Sequence, residues 1–391
     1  MPTPPFPDSI WLDGRNIGID SGTGVTQYAH DLSICLNDLN ISTDFIQGQD
    51  TAQVTSPSPN TDALKRLLRA FLPKRSIITI PGTKGHDIPY CHDLYRTAHV
   101  RFKTFHRLTS LHTIKPPTIM HWTYPLPMVL EGCPNILTIH DLVPLLNPEL
   151  TGIESVSFAK LLRLLCMRMD RIVTVSETVR KQVINVLQLP QQHVVNLYQM
   201  VDINKTDVMK SPRIIPPDSL IHIGRVESRK NIERLIKAYC YSKSRRSLIL
   251  VGPNGDDFPD LTLPSGSPGQ IIRIPWIERS SLLRGLSEAH ALVFPSLAEG
   301  FGLPIIEAMA LGTPVITSRG SATEEIAGGA ACLIDPLSVD DIADKILMLD
   351  STDKNKGLAG ALVKKGYQRA SFFSRKAYTE RLKKFYNSVV P

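Results

Sequence analysis

The chain lacks any hydrophobic run of about 18 residues, which excludes a membrane-spanning helix. Its six cysteines, at 35, 91, 133, 166, 240 and 332, form no CxxC pair and fit no disulfide or metal framework. A reducing, cytoplasmic setting is therefore expected. The opening residues, MPTPPFPDS, have neither the charged nor the apolar region of a secretion leader, so none is expected. Basic residues are scattered and match no nucleic-acid-binding motif, so no nucleic-acid partner is expected. An Asp-x-Asp triplet is also missing.

What is present points to a folded, two-part chain. At roughly 100–200 residues per domain, 391 residues make two domains or three. Hydrophobic residues at 42% and charged residues at 21% are those of a globular protein rather than a disordered one. A net charge of +7 favours an anionic partner, without choosing among nucleic acid, a membrane face or a phosphorylated substrate.

Strand and helix patterns alternate twice. Ser9–Leu12 reads as a strand, followed by a loop from Asp13 to Gly24. A helix follows, with Val25, Tyr28, Ala29, Leu32, Cys35, Leu36 and Leu39 on one face. Residues 63–75 read as a short basic amphipathic helix with Leu64, Leu67, Leu68 and Phe71 in a stripe. His92, His99 and His106 are spaced as on a helix face. Residues 136–139 and 171–175 read as strands, 155–169 and 177–187 as helices. Residues 200–218, with three prolines, are the linker candidate. The second half repeats the rhythm: strands near 220–223, 247–251, 271–274, 291–294 and 315–316, helices near 231–241, 280–288 and 304–311. Such alternation implies parallel sheets with right-handed crossovers, hence two Rossmann-like domains. The boundaries expected are 1–205 for the first domain, 206–370 for the second, and a final helix over 371–391.

Four motifs carry chemistry. In Pro295–Met309 (PSLAEGFGLPIIEAM) a strand ends, two glycines follow, and Pro304 stands where a helix begins. Free amides around Gly302 and Leu303 make that helix mouth attractive to anions. Glu299 and Glu307 are poor phosphate ligands but good hydroxyl acceptors, one towards a sugar and one towards a ribose; the alternative is a loop with a capping Glu. In GRVESRKN (224–231), Arg225 and Lys230 stand between a strand and a helix and can neutralise a diphosphate. Taken alone, that segment reads equally as a solvated loop. Gly22-Thr23-Gly24 begins like GxGxxG, but Gln27 occupies the third glycine position, so a dinucleotide fingerprint is poor. A glycine turn reaching towards phosphate from the opposite domain fits better, with Asp13 and Arg15 beside it; a plain tight turn is the alternative. His140-Asp141 at a strand end can hydrogen-bond a sugar hydroxyl, or be structural. Metal binding by the histidines between 86 and 121 has no accompanying Cys or carboxylate pattern.

The pair GRVESRKN and PSLAEGFGLPIIEAMALGTPVI resembles the GT4 family of retaining glycosyltransferases, which have the GT-B fold: two Rossmann-like domains facing a central cleft. Similarity is strong over about 219–346, including Glu325–Ala330 and Asp335-Pro336. It is weaker over the first 200 residues, in DGR…GTGVTQY, HDLVPLLNPE and Val175-Ser176-Glu177. The resemblance implies that Glu299 and His140 serve catalysis, with Glu299, Gly300 and Phe301 at the donor sugar. It implies further that Arg225, Lys230, Gly22, Gly24, Gly302 and Leu303 hold the diphosphate, and Glu307 the ribose. It also implies front-face transfer assisted by the leaving phosphate, with no metal and no cofactor beyond the nucleotide-sugar substrate, and a last helix crossing back to the first domain. Two positions depart from the family: Tyr198–Asp202 where Asn-Gly-Val-Asp is usual, and Pro275-Trp276 where a glycine precedes the base-binding loop. The start of the chain resembles mannosyltransferases of bacterial O-antigen and exopolysaccharide, which implies GDP-mannose as donor and a lipid-linked or polysaccharide acceptor. Work on lipid-linked acceptors implies a peripheral contact with the anionic inner membrane face, through residues 63–75; the alternative is a helix packed on the protein's own core with solvated Lys and Arg. The competing readings are a sugar-nucleotide epimerase on the same fold and a noncatalytic subunit of a polysaccharide-synthesis complex.

Overall fold

The computed structural model describes residues 6–17, 24–48, 66, 68–81, 87–255, 257, 259–262, 269–351 and 356–389. Two six-stranded parallel sheets organise it. In the first, the order is 194–196, 171–174, 135–139, 119–122, 9–13 and 42–46. In the second it is 271–274, 248–251, 220–223, 291–294, 315–318 and 332–334. Strands such as Asn135–Ile139, Leu248–Val251 and Ala291–Phe294 are buried at every position. Both faces are covered, so these strands read as continuous apolar runs instead of alternating ones.

Each sheet reverses its strand order once. The first does so between Ser9–Asp13 and Ile119–Trp122, the second between Leu220–Ile223 and Ala291–Phe294. In open parallel sheets the crevice at the carboxyl ends of such a pair is where ligands bind. The four loops leaving these strands therefore decide where chemistry can occur.

The first helix, Gly24–Asp38, buries Tyr28, Ala29, Leu32, Cys35 and Leu36, the face read from its spacing. The last helix, Arg375–Asn387, is capped by Ser374 and packs against the first. Arg375 grips Asp38 with Nη2 at 2.6 Å and Nε at 2.7 Å. Tyr386 meets His121 Nδ1 at 2.6 Å. One buried cluster thus runs from Ile10 and Leu12 in the first sheet, through Tyr378 and Phe385, to Ile221 and Leu292 in the second.

Three local expectations need correction. The helix read over 63–75 ends by Phe71, and Lys74–Ser76 is instead a strand pairing with Thr109–His112. Pro73 is the reason: it cannot continue a helix, and it biases Leu72 towards extended backbone. Of the stripe, Leu68 and Phe71 are exposed, while Leu64 and Leu67 lie outside the described residues. Next, His92 and His106 flank the helix Leu94–Phe105, and only His99 lies on it. Finally, the linker candidate contains a short helix, Lys205–Lys210, begun by Asn204, whose side chain accepts from the Thr206 amide at 3.0 Å.

Candidate active site

The loop after Leu220–Ile223 and the loop after Ala291–Phe294 meet at the second sheet's switch point. Asn231 ties them: its Nδ2 donates to the Pro295 carbonyl at 3.1 Å and the Pro336 carbonyl at 2.6 Å. On this platform Lys230 Nζ bonds Glu299 Oε1, and Arg229 Nη1 lies 3.2 Å from Oε2. Burial alone would push the Glu299 carboxyl up. The ammonium of Lys230 and the guanidinium of Arg229 outweigh that and hold it down at about 2. Arg225, by contrast, is exposed and makes no ion pair among the described residues.

Gly302, at φ +102°, turns the chain into the helix Leu303–Leu311, a conformation that a side chain would strain. With Pro304 in the first turn and no side-chain cap, amides at this helix mouth remain open to an anion. Gly24, the first residue of the first helix, lies opposite: a Cβ there would sit 3.7 Å from Leu303 Cδ1. Two helix starts, one from each domain, therefore face the same place. Gly22 lies outside the described residues. Glu307 is buried in the helix Leu303–Leu311, and its Oε1 is met by Arg279 Nη2 at 2.6 Å.

The first domain supplies the facing wall. At its switch point, Thr123 donates amide and hydroxyl to Asp13 Oδ2, at 2.5 and 2.8 Å. Burial raises the Asp13 carboxyl to about 6 against these bonds. His140 Nε2 meets the Thr123 carbonyl at 2.8 Å, so that nitrogen carries the proton and Nδ1 is the acceptor. Burial also lowers the His140 pKa, which keeps the ring neutral. Arg15 lies over the Tyr124 ring at 5.5 Å. Gly300 is pressed onto the His140 backbone so closely that a Cβ would collide with the His140 carbonyl. The Phe301 ring packs edge-on to Phe373 at 5.6 Å, so Phe301 presents backbone, not its ring, to the cleft.

The structure thus brings Arg225, Lys230, Glu299, Gly300, Gly302, Leu303 and Glu307 to one switch point, with Gly24 and His140 against them. Three further residues were given no role from the sequence. Arg229 was hidden inside a basic run, and Arg279 stands 28 residues from its partner Glu307. Glu325 belongs to the helix Ala322–Ala327 of the second domain but caps the helix Glu177–Leu187 of the first. It accepts from the amides of Glu177 and Thr178, each at 2.7 Å, and from the Thr178 hydroxyl at 2.6 Å. Among the described residues, no three potential metal ligands converge.

Comparison with known families agrees with this layout. The model "Glycosyltransferase Family 4" matches residues 22–205, and "Glycosyl transferases group 1" matches residues 205–369. The chain belongs to glycosyltransferase family 4. Among relatives of this family-4 protein are O-antigen chain mannosyltransferase B of Escherichia coli, 31% identical over 220 residues. Another is O-antigen chain mannosyltransferase RfbU of Salmonella typhimurium, 28% identical over 203 residues. The matches cover 52% and 51% of this chain and 56% of each relative, so the chain spans about half the length of the curated relatives it matches. Among solved structures, sucrose-phosphate synthase from Thermosynechococcus elongatus superposes with a TM-score of 0.66 at 18% identity, covering 97% of this chain and 98% of that one. HepE of Anabaena, in complex with UDP and glucose, gives 0.58 at 12% identity, covering 98% and 100%. These likenesses establish the GT-B fold.

Proposed function

We propose that this family-4 protein is a retaining glycosyltransferase that moves a hexose to a lipid-linked or polysaccharide acceptor in cell-surface glycan synthesis. GDP-mannose is the first candidate donor, a choice supported by the names of the O-antigen relatives. One observation carries the reading: Arg225, exposed and without an ion pair among the described residues, stands on the same loop as Lys230, where two helix starts converge. That is a place for a diphosphate.

In this reading the diphosphate charge is met by Arg225, Lys230 and the amides at Gly24, Gly302 and Leu303. No metal and no cofactor besides the donor is needed. Glu299, held at about 2, stays ionised at neutral pH. It can accept hydrogen bonds from sugar hydroxyls and cannot serve as a general acid. Glu307 accepts from the ribose. His140 is neutral and fixed against Thr123, beside the Gly300 backbone where the donor sugar would lie. The leaving phosphate itself assists attack from the front face, so rate enhancement comes from positioning and charge stabilisation.

A thermal-shift panel of GDP-, UDP- and dTDP-sugars tests the donor class, since a ligand that binds only the native form raises its melting point. Transfer from the best donor, with the product anomer read by NMR, tests the stereochemistry. An inverted product removes the retaining mechanism; no shift with any sugar nucleotide removes the donor site.

A further inference from the structure

Both acids of the pair are already held by cations, and not only by the cations that a diphosphate requires. Arg229 places Nη2 at 2.8 Å and Nε at 3.1 Å from Glu227 Oε1. Its Nη1 reaches Glu299 Oε2 at 3.2 Å and the Ala298 carbonyl at 3.1 Å. Even its own carbonyl is used, accepting from the Leu297 amide at 2.9 Å. Arg229 is thus woven into the loop on all sides. Lys230 differs: its ammonium is a compact charge with three donors, of which Glu299 takes one. It can turn towards a phosphate, and when it does Arg229 is the cation left on Glu299. At the neighbouring helix, Arg279 engages Oε1 of Glu307 at 2.6 Å.

We infer that Arg229 and Arg279 are positioning residues, each the standing counter-ion that keeps one acid of the Glu299–Glu307 pair aimed while Lys230 and Arg225 turn to the diphosphate. The inference rests on the function proposed above and adds two residues to that site. Physically, a buried carboxylate without a partner is forced towards its neutral form, and a neutral carboxyl is a weaker acceptor. The groups facing Glu299 are Lys230 and Arg229 from one loop, and His222 on the adjoining strand, which burial depresses to about 4 and so leaves neutral. Asp141 of the opposite domain adds a negative charge near Arg229. Removing Arg229 therefore leaves Glu299 with a single cation that the ligand also claims.

The test compares wild type, Arg229→Gln, Arg229→Lys and Arg279→Gln by titration with GDP and UDP and by hydrolysis of GDP-mannose from pH 4 to 9. Arg229→Gln is expected to bind the preferred nucleotide within about threefold of wild type, while kcat falls tenfold or more. The acid limb of its kcat profile moves to higher pH, and Arg229→Lys recovers part of the rate. For Arg279→Gln, the preference for the ribonucleotide over its 2′,3′-dideoxy analogue shrinks about tenfold. Equal losses of affinity and kcat in Arg229→Gln would make Arg229 a phosphate ligand and overturn the inference, as would no change in either.

Should wild type hydrolyse no donor, the transfer reading fails but the inference is still decided by melting curves. Glu299 is depressed in the folded state, so its stabilisation is present above the unfolded value of about 4.5 and is lost as pH falls through about 2. The melting deficit of Arg229→Gln should accordingly be full at pH 7 and narrow as pH falls from about 4.5 towards 2. A deficit independent of pH would mark a merely structural arginine.

Discussion

At the scale of single residues, the charges in the cleft are arranged so that few groups are left for a ligand. Asp31, on the first helix, shows how far this reaches across the domains. Burial raises its carboxyl to about 7, against the Gln27 amide at 2.6 Å and the attraction of Arg279. A carboxyl raised by folding contributes stability that is present below its unfolded value near 3.8 and is lost as pH rises through about 7. Asp31→Asn should therefore melt higher than wild type at pH 8.5 and close to it at pH 3.8. Equal shifts at both pH values would show that Asp31 is not the titrating group. Arg225, Lys230, Glu299 and Glu307 were legible in the sequence because each lies within a few residues of a strand end or a glycine turn. Arg279 was not, since its partner Glu307 stands on another helix and no spacing rule joins them; Asp31 was not, since what raises its carboxyl is burial, which its i,i+4 contact with Gln27 does not reveal.

At the scale of elements, the two domains are joined by direct contacts between their loops and helix starts. Gly300 touches the His140 backbone, and Glu325 caps the start of the helix Glu177–Leu187. Gly300→Ala should push the domains apart, because the obstacle is a backbone carbonyl that cannot swing aside. The expected result is a larger radius of gyration by small-angle scattering and at least a tenfold loss of turnover. An unchanged radius with full activity would mean that the loop yields instead. Glu325→Ala removes three hydrogen bonds from one helix start and should cost about 1–2 kcal/mol in urea unfolding, the range for a lost cap; no loss would show that Ser176 alone suffices. Strands buried on both faces were easy to read, as at 136–139 and 291–294, because unbroken apolar runs of that length have few alternatives. The segment 63–75 misled because its helical spacing runs straight through Pro73, and the proline decided the outcome.

At the scale of the molecule, two switch points face each other, and the last helix binds the first domain through Arg375–Asp38 and Tyr386–His121. Outside the cleft, Leu68, Phe71 and Leu72 are each more than half exposed, next to Lys74. If the acceptor is lipid-linked as proposed, this edge is the candidate for contact with an anionic membrane. Leu68→Glu/Phe71→Glu should then pellet less than wild type with phosphatidylglycerol vesicles, and equal pelleting removes the contact. Nucleotide binding is the more direct matter. Isothermal titration of GDP and UDP into wild type and Arg225→Ala asks whether the exposed guanidinium at the switch point holds a nucleoside diphosphate. Saturable binding of at least one nucleotide by wild type, weakened tenfold or more in the variant, is the expected result. Equal affinity in the two proteins, or no binding of either nucleotide by wild type, would contradict it.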